Sequence, residues 1–450
     1  MCGFIPSIVP LLQELCIVFT QPSAVTFQEV FRGWVLCLGR RTEFRVFEAI
    51  GGKQVSRQRR HPFDRYYNFF SRSAWTVRDL AHAVAVQIVV ALNRSGELVL
   101  VVDSTLLHKS GQHVFAIGWF HDPVRSTKKR VATALGNQWT VLGLAIRIPG
   151  TERTFCLPIH AVLQRPGKGQ PSPVDSARQM LADVLAWFPD RRLVLIGDGG
   201  FSAKNLLLDL DPRVTYVGLM RRDAELYDTV IPARRKGRPG RKPTHGPRLP
   251  APREAAKKAD AASRSSRWHR KAIQVTAYGK QQTFDVCTFQ AFWPKVFGPR
   301  PIRVVLCRPR EAGYEEVYLY TTRLDADPAW VIATYSSRSS IEAAFKDSKQ
   351  VMEIQKPQHW CQQSIEKLAP WVWLMQSVIK LWYVTEGCKL PEARAARRQL
   401  GPWDSEWSLR HMVRILRRAT IRAAISATST TKHDLHQLVD HLENYLFLAA

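Results

Sequence analysis

The chain has 450 residues, 45% of them hydrophobic and 23% charged, enough for two or three soluble domains with substantial cores. Its 65 Lys and Arg against 38 Asp and Glu leave a formal net charge of +27, a density that repels itself and that a polyanion, above all nucleic acid, relieves. Eight scattered cysteines with no C-x-x-C pair argue against a zinc site or a disulfide framework. They fit a reducing cytosol, while the absence of a basic leader and of any apolar run near ~18–20 residues argues against a signal peptide or a membrane span.

Residues 1–95 read as a helical N-terminal region. Phe27, Val30, Phe31, Trp34 and Val35 recur at helical spacing, as do Leu80, Ala83, Val84, Ile88 and Leu92. Between these runs, Arg57-Gln58-Arg59-Arg60-His61 and Arg65-Tyr66-Tyr67-Asn68-Phe69-Phe70 interleave basic and aromatic side chains. That pattern suits a DNA-binding region or a helical lid with a solvated basic face, and no helix-turn-helix signature stands out. Residues 96–220 change character. Leu98–Val102, Val114–Phe120, Trp139–Ile148, Leu193–Gly197 and Val214–Leu219 read as strands, with a helix from Asp175, as N-cap, to Trp187. A mixed α/β sheet with helices on its faces follows.

Residues 221–325 begin with a Gly-, Pro- and Arg-rich stretch that reads as an exposed, mobile loop up to about Arg270. Ile273–Tyr278, Phe284–Thr288, Ile302–Arg308 and Glu316–Thr321 then suggest a small inserted β subdomain. From Pro328 the pattern is helical, with residues 326–360 carrying Glu342 and residues 361–450 forming a helical C-terminal region. The apolar stretch Trp371–Trp382 is interrupted by Gln376 and Lys380 at helical spacing.

Two apolar strands run into carboxylates, Val101-Val102-Asp103 and Leu195-Ile196-Gly197-Asp198. Catalytic groups of open α/β sheets gather at the carboxyl ends of strands. On neighbouring strands these acids would repel in a partly dry site, and a hard divalent cation such as Mg²⁺ or Mn²⁺ would relieve that repulsion. Either Asp alone is as readily a turn residue, as Asp before Gly often is. Tyr335, Arg338, Glu342 and Lys349 follow at near-whole helical turns, so they fall on one side of a helical segment with Ile341, Ala344 and Phe345 around Glu342. A Glu completing a metal site, with Arg and Lys holding phosphate, accounts for charge on such a stripe, the alternative being a surface ion-pair face of an exposed helix.

The spacing Tyr335-x2-Arg338-x3-Glu342-x6-Lys349 resembles the Y-R-E-K signature of a large group of bacterial insertion-sequence DDE transposases, and Asp103 and Asp198 match the two upstream acids of that family's triad. The long separation of Asp198 from Glu342 resembles members with a β-rich insertion at that point. Arg40-Arg41-Thr42, the Trp75 region and Asp103-Ser104-Thr105-Leu106-Leu107 look like the N-terminal half of DDE endonucleases. The resemblance implies an RNase H-like mixed sheet core with a β-rich insertion, flanked by helical N- and C-terminal regions. It implies catalytic and metal-holding roles for Asp103, Asp198 and Glu342 with two Mg²⁺ or Mn²⁺ ions, and DNA contacts for Tyr335, Arg338 and Lys349. The family pattern often has an aromatic residue soon after the Arg, where Ser339-Ser340 stand here.

Similar transposases form a DNA hairpin, for which Trp293, Tyr314 and Trp330 are candidate receivers of a flipped base. Lys236-Gly237-Arg238-Pro239-Gly240-Arg241-Lys242 resembles the AT-hook, which adds Arg238, Arg241 and Lys242 as DNA-binding residues, in a minor groove or on phosphates. The expected function is binding of transposon terminal inverted repeats, strand cleavage and strand transfer to target DNA, by a homodimer in the DNA complex. Trp407–Arg418 and His433–Leu446 are candidate dimer contacts or core helices. The expected location is the bacterial cytoplasm at the nucleoid. A domesticated DNA-binding protein and an RNase H-like nuclease without strand transfer are the alternatives.

Overall fold

The computed structural model describes residues 4–50, 63–122, 125–127, 130–148, 151, 153–232, 243–263, 265–311, 315–401 and 405–426. Arg57–His61, the hook-like segment with Arg238, Arg241 and Lys242, Tyr314 and His433–Leu446 lie outside the described residues.

Five strands make the core: β1 (Leu98–His108), β3 (Thr133–Arg147), β4 (Thr154–Gln164), β5 (Leu193–Gly197) and β6 (Val214–Leu219), with a four-residue edge strand β2 (Gly118–His121) on β3. β3 runs antiparallel to β1 and β4 antiparallel to β3, whereas β5 is parallel to β1 and β6 parallel to β5. The order β4-β3-β1-β5-β6 is the RNase H-like mixed sheet. β5 is buried along its whole length, as an apolar strand covered on both faces should be. β4 was not anticipated, because Pro158, His160 and Gln164 break its apolar pattern. The strand expected at Val114–Phe120 shrinks to β2, because Asn137 Nδ2 donates to the carbonyls of Phe115 (2.9 Å) and Ala116 (3.0 Å) and holds the preceding loop. The helix Pro173–Trp187 begins one turn earlier than expected: Ser172 is the N-cap, and Asp175 closes a capping box from the third position.

β7 (Lys271–Ala277), β8 (Lys280–Phe292), β9 (Pro301–Pro309) and β10 (Val317–Thr321) form at the expected places. They do not stand apart as a subdomain. β10 pairs antiparallel with β6, so β10-β9-β8-β7 continue the core into one ten-stranded sheet. The stretch expected to be loop as far as Arg270 contains a helix, Pro252–Asp260, whose Ala255, Ala256 and Ala259 are buried while its charges face outward. Three alanines on one face are enough to dock a short helix that starts with Pro at its first position.

The long helix Gln362–Thr385 is the central strut. Trp371 packs edge-on to Trp34 (5.3 Å) and Phe70 (5.7 Å) of the N-terminal helices, and Trp373 packs edge-on to Trp139 of β3 (5.5 Å). The two polar residues that interrupt its apolar run serve one neighbour. Gln376 Nε2 donates to the Ala344 carbonyl (3.1 Å), and Lys380 pairs with Asp347 (3.0 Å), so both hold the helix Ser339–Gln350. No helix among the described residues is long and apolar enough to cross a membrane.

The Arg40-Arg41-Thr42 run has a structural account. Arg41 is buried, donates Nε to the Trp34 carbonyl (2.8 Å) and Nη1 to the Val351 carbonyl (2.6 Å), and its backbone N–H reaches Glu353 (2.8 Å). It thereby joins the carboxyl ends of the helices Gln21–Leu36 and Ser339–Gln350, where carbonyls lack helical partners. Arg41→Ala is expected to cost about 2–4 kcal/mol, since it strands several buried acceptors at once. Urea denaturation of the purified chain reads this directly, and Arg41→Lys is expected to recover only part, because one ammonium cannot span both helix ends.

Candidate active site

Parallel pairing sets Val101 of β1 opposite Ile196 of β5. Asp103 and Asp198 each lie two residues beyond this last pair. β1 does not end at Asp103, as its sequence suggested, but runs on to His108 against β3, with Asp103 opposite Val141. It is β5 that stops, at Gly197, and its departure opens the space beside Asp103.

Asp103 is largely buried. Its Oδ1 accepts the Ser104 backbone N–H (2.7 Å) and its Oδ2 accepts Arg338 Nη1 (2.9 Å). Burial pushes its pKa from 3.8 up to about 6; Arg338 and the Ser104 N–H pull it down, and the charges of Asp198 and Glu342 push it up further. Both other acids are therefore within electrostatic reach. Asp198 Oδ1 accepts the N–H groups of Gly200 (2.9 Å) and Phe201 (3.3 Å), so the turn reading of Asp before Gly holds for that oxygen. Gly197 is required by close approach, since a Cβ there would lie 2.4 Å from the Tyr216 hydroxyl oxygen. Beneath this turn, Tyr320 donates to Ser202 Oγ (2.7 Å), which donates to the Leu219 carbonyl (3.1 Å), fixing the Asp198 loop on β6.

The signature residues are not on one continuous helix. Tyr335 ends the helix Pro328–Ser336. The chain tightens through three-residue turns, Arg338 N to the Tyr335 carbonyl (3.0 Å) and Ser340 N to the Ser337 carbonyl (3.0 Å), before the helix Ser339–Gln350 carries Glu342 and Lys349. The consecutive hydroxyls of Ser336, Ser337, Ser339 and Ser340 compete for backbone carbonyls here and favour the break. Arg338 and Glu342 still meet, with Nη2 donating to Oε1 at 2.5 Å. Ile341, Ala344 and Phe345 face the core rather than surrounding Glu342, whose side chain is 56% exposed. Tyr335 is buried beside Arg338, and burial pushes its pKa up to about 12. Burial would lower the Arg338 pKa, but Tyr335, Asp103, Glu342 and Asp198 together hold it above the ordinary arginine value. Lys349 stands apart. Burial lowers its pKa against the opposing pull of Asp122, a buried carboxylate that bonds His108 Nε2 at 3.0 Å. That His108–Asp122 pair escaped sequence reasoning, having no short spacing to mark it.

Among the described residues no three His, Cys, Asp or Glu side chains gather closely enough to hold a metal. Arg338 instead supplies the positive charge between Asp103 and Glu342. A cation standing between carboxylates, in a donor set made only of oxygens, fits the chemistry of a hard divalent ion.

Other expected DNA contacts fare differently. Trp293 is a core residue against Tyr320 (5.4 Å) and Phe297 (6.3 Å), and Trp330 lies partly buried beneath the Arg323 guanidinium (4.5 Å). Tyr66, Phe69 and Phe70 belong to the N-terminal core, and Arg65 pairs with Glu29.

The sequence profile described as DDE superfamily endonuclease matches residues 18–280, more than half of the chain. The chain belongs to this family. Asp103 and Asp198 lie within the stretch by which the DDE superfamily is assigned, and Glu342 lies beyond it. The solved structures similar to this DDE-family chain include a piggyBac transposase synaptic complex with hairpin DNA, at 13% identity and a TM-score of 0.40, covering 94% of this chain and 76% of that one. No curated protein matches the chain.

The raised pKa of Asp103 makes stability depend on pH. The folded chain binds this proton more tightly than the unfolded chain, so stability is fully present below about pH 3.8 and is lost as pH rises through about 6. By pH 7 the ionised carboxylate costs about 3 kcal/mol at ~1.36 kcal/mol per unit. Asp103→Asn is therefore expected to raise the urea midpoint at pH 7–8 without divalent ions, with the gain vanishing toward pH 4. An equal difference across that range would contradict the assignment.

Proposed function

We propose that the chain is a DNA transposase that binds the terminal inverted repeats of its element and performs metal-dependent strand cleavage and strand transfer. The observation that carries this reading is the largely buried Asp103, joined through Arg338 to Glu342 and within electrostatic reach of Asp198. Three acids from distant parts of the chain act on one another there, and a shared cation is what such a site needs. Asp103, Asp198 and Glu342 would hold two Mg²⁺ or Mn²⁺ ions, which when bound supply activation of a water or 3′-hydroxyl and stabilise the leaving oxygen of an in-line attack on phosphorus.

The chain's own residues do the positioning. Arg338, freed from its carboxylates, offers bidentate contact to a phosphate next to the cleaved bond, and Lys349 adds a second cation, on which the Asp122 carboxylate acts. Tyr335 packs against Arg338 and limits where its guanidinium can swing. Arg238, Arg241 and Lys242 would add further DNA contacts, and pairing two ends calls for a dimer.

Nicking of supercoiled plasmid by the full chain is expected to require Mg²⁺ or Mn²⁺. Asp103→Asn, Asp198→Asn and Glu342→Gln are each expected to lower the rate roughly 10³-fold or more, on the scale of losing a preorganised charge partner. Mg²⁺ is expected to raise the thermal midpoint of the wild type and to do so less in Asp103→Asn. A wild type that binds DNA without nicking would leave a DNA-binding protein only. Nicking without joined products from a 3′-hydroxyl substrate would leave a nuclease.

A further inference from the structure

A second charged feature lies on the other exposed flank of the helix Ser339–Gln350. A cavity of about 740 Å³ is lined by Arg153, Lys346, Lys380 and Arg410, with Asp347 as the one acidic side chain among the described residues. A smaller one of about 250 Å³ is lined by Arg41, Arg410, Arg414 and Arg417, with Glu353 as the one acid among the described residues. The two share Gln350, Val351 and Arg410 as walls, so they adjoin along one groove of the surface. Both acids are already engaged, Asp347 by Lys380 (3.0 Å) and Glu353 by the Arg41 backbone N–H (2.8 Å). Lys380 and Arg41 are engaged in turn, which leaves Arg153, Lys346 and Arg410 as the exposed cations of the groove.

The wall opposite the helix comes from Leu409–Ser426, which contains no acidic residue. Its Leu409, Met412, Val413, Ile415 and Leu416 are buried, which turns Arg410 and Arg414 toward the groove. Arg417 is mostly buried and donates to the carbonyls of Val35 (2.8 Å) and Cys37 (3.3 Å). Burial, and then its neighbours Arg41 and Arg414, lower its pKa to about 10, so these cations repel one another across the groove. An anion in the groove would remove that repulsion.

The groove also has a direction. At ~100° per residue, Lys346 and Gln350 stand about 40° and 80° round the helix from Glu342. The groove therefore begins beside the catalytic face and leads away from it toward the C-terminal helix. We infer that it holds consecutive phosphates of a nucleic-acid backbone running past the catalytic face. This rests on the transposase reading and extends it to a second stretch of the same chain. Phosphate is the shared chemistry, and a free polyphosphate is the other possible source.

The test uses the full chain and a triple variant, Arg153→Gln, Lys346→Gln and Arg410→Gln, at three exposed positions. A variant with Lys204→Gln, Lys257→Gln and Lys258→Gln, exposed elsewhere, matches its loss of charge. Affinity for a fluorescent duplex is measured by anisotropy from 50 to 300 mM salt. The groove variant is expected to bind at least about 10-fold more weakly than the charge-matched one, and its log–log salt slope should fall by about 2–3, near 0.9 per lost phosphate contact. Equal affinities and slopes in the two variants would overturn the proposal. So would micromolar tripolyphosphate displacing the duplex from wild type and raising the thermal midpoint of wild type but not of the groove variant, which would assign the groove to a free polyphosphate. Mg²⁺-dependent nicking, assayed separately, reports on the catalytic reading: a wild type without it and with the groove effect intact would sink that reading alone.

Discussion

A carboxylate in the middle of a buried strand is the constraint around which the rest of this molecule is arranged. Asp103 follows five residues of apolar β1 and sits between β3 on one side and the end of β5 on the other. Desolvation disfavours its charge, and Asp198 and Glu342 disfavour it further. Nothing in the sheet offsets this except the Ser104 N–H. The offset comes from outside the sheet, as Arg338, and Arg338 is where the chain breaks from one helix into the next. The break is thus more than an irregularity. It lets one guanidinium reach back to β1 while another of its nitrogens holds Glu342 one turn along.

The helix Ser339–Gln350 consequently has three faces with three tasks. Ile341, Ala344, Phe345 and Ser348 are buried against the sheet and the long helix. Glu342 lies toward Asp103 and remains half in solvent. Lys346, Asp347 and Gln350 border the basic groove. A helix asked to place a charge accurately needs fixing from several directions. Gln376 and Lys380 fix it from the long helix, and Arg41 fixes its carboxyl end. Each of these is a polar group in an otherwise apolar setting, and each costs desolvation that only a specific partner recovers.

What the sequence disclosed divides along the same physical line. Apolar runs gave β1, β5 and β6, because a strand buried on both faces leaves few polar positions to obscure it, whereas β7 showed through its alternation of buried and exposed residues. β4 was hidden because Pro158, His160 and Gln164 interrupt its apolar run, although Pro158 and Gln164 are buried. Asp103, Asp198, Arg338 and Glu342 were recognisable by type and spacing and do act on one another. Their arrangement was not legible, since whether Arg338 stands between the acids or beside them depends on a turn that Ser336–Ser340 create through side-chain bonds to carbonyls. Lys349 illustrates the limit of spacing alone: it is seven residues from Glu342, yet the carboxylate acting on it is Asp122. Contacts between residues far apart in the chain, such as Arg41 with Val351, leave no local pattern at all.

The separation of Asp198 from Glu342 then poses a geometrical question, because a long insertion ought to loosen the placement of the third acid. Sheet pairing answers it. The chain leaves the core after β6 and returns on β10, which is hydrogen-bonded antiparallel to β6 itself, with Leu319 opposite Leu219 and Thr321 opposite Val217. Immediately afterwards Thr322 locks the return, its N–H on the Tyr216 carbonyl (3.1 Å) and its Oγ1 accepting the Tyr216 N–H (2.9 Å). Exit and re-entry are therefore adjacent strands of one sheet, and the helix bearing Tyr335 starts from a point fixed on the core. Loop-closure entropy grows only with the logarithm of the length inserted, and here strand pairing closes the loop at its base. The insertion can change in size without moving Glu342, provided that β10 keeps its register on β6. A one-residue slip of that pairing would turn every side chain of β10 to the opposite face and take Tyr320 away from Ser202, loosening the Asp198 turn as well. The second and third acids thus share a single mechanical support, the β6–β10 ladder, although the chain between them is long.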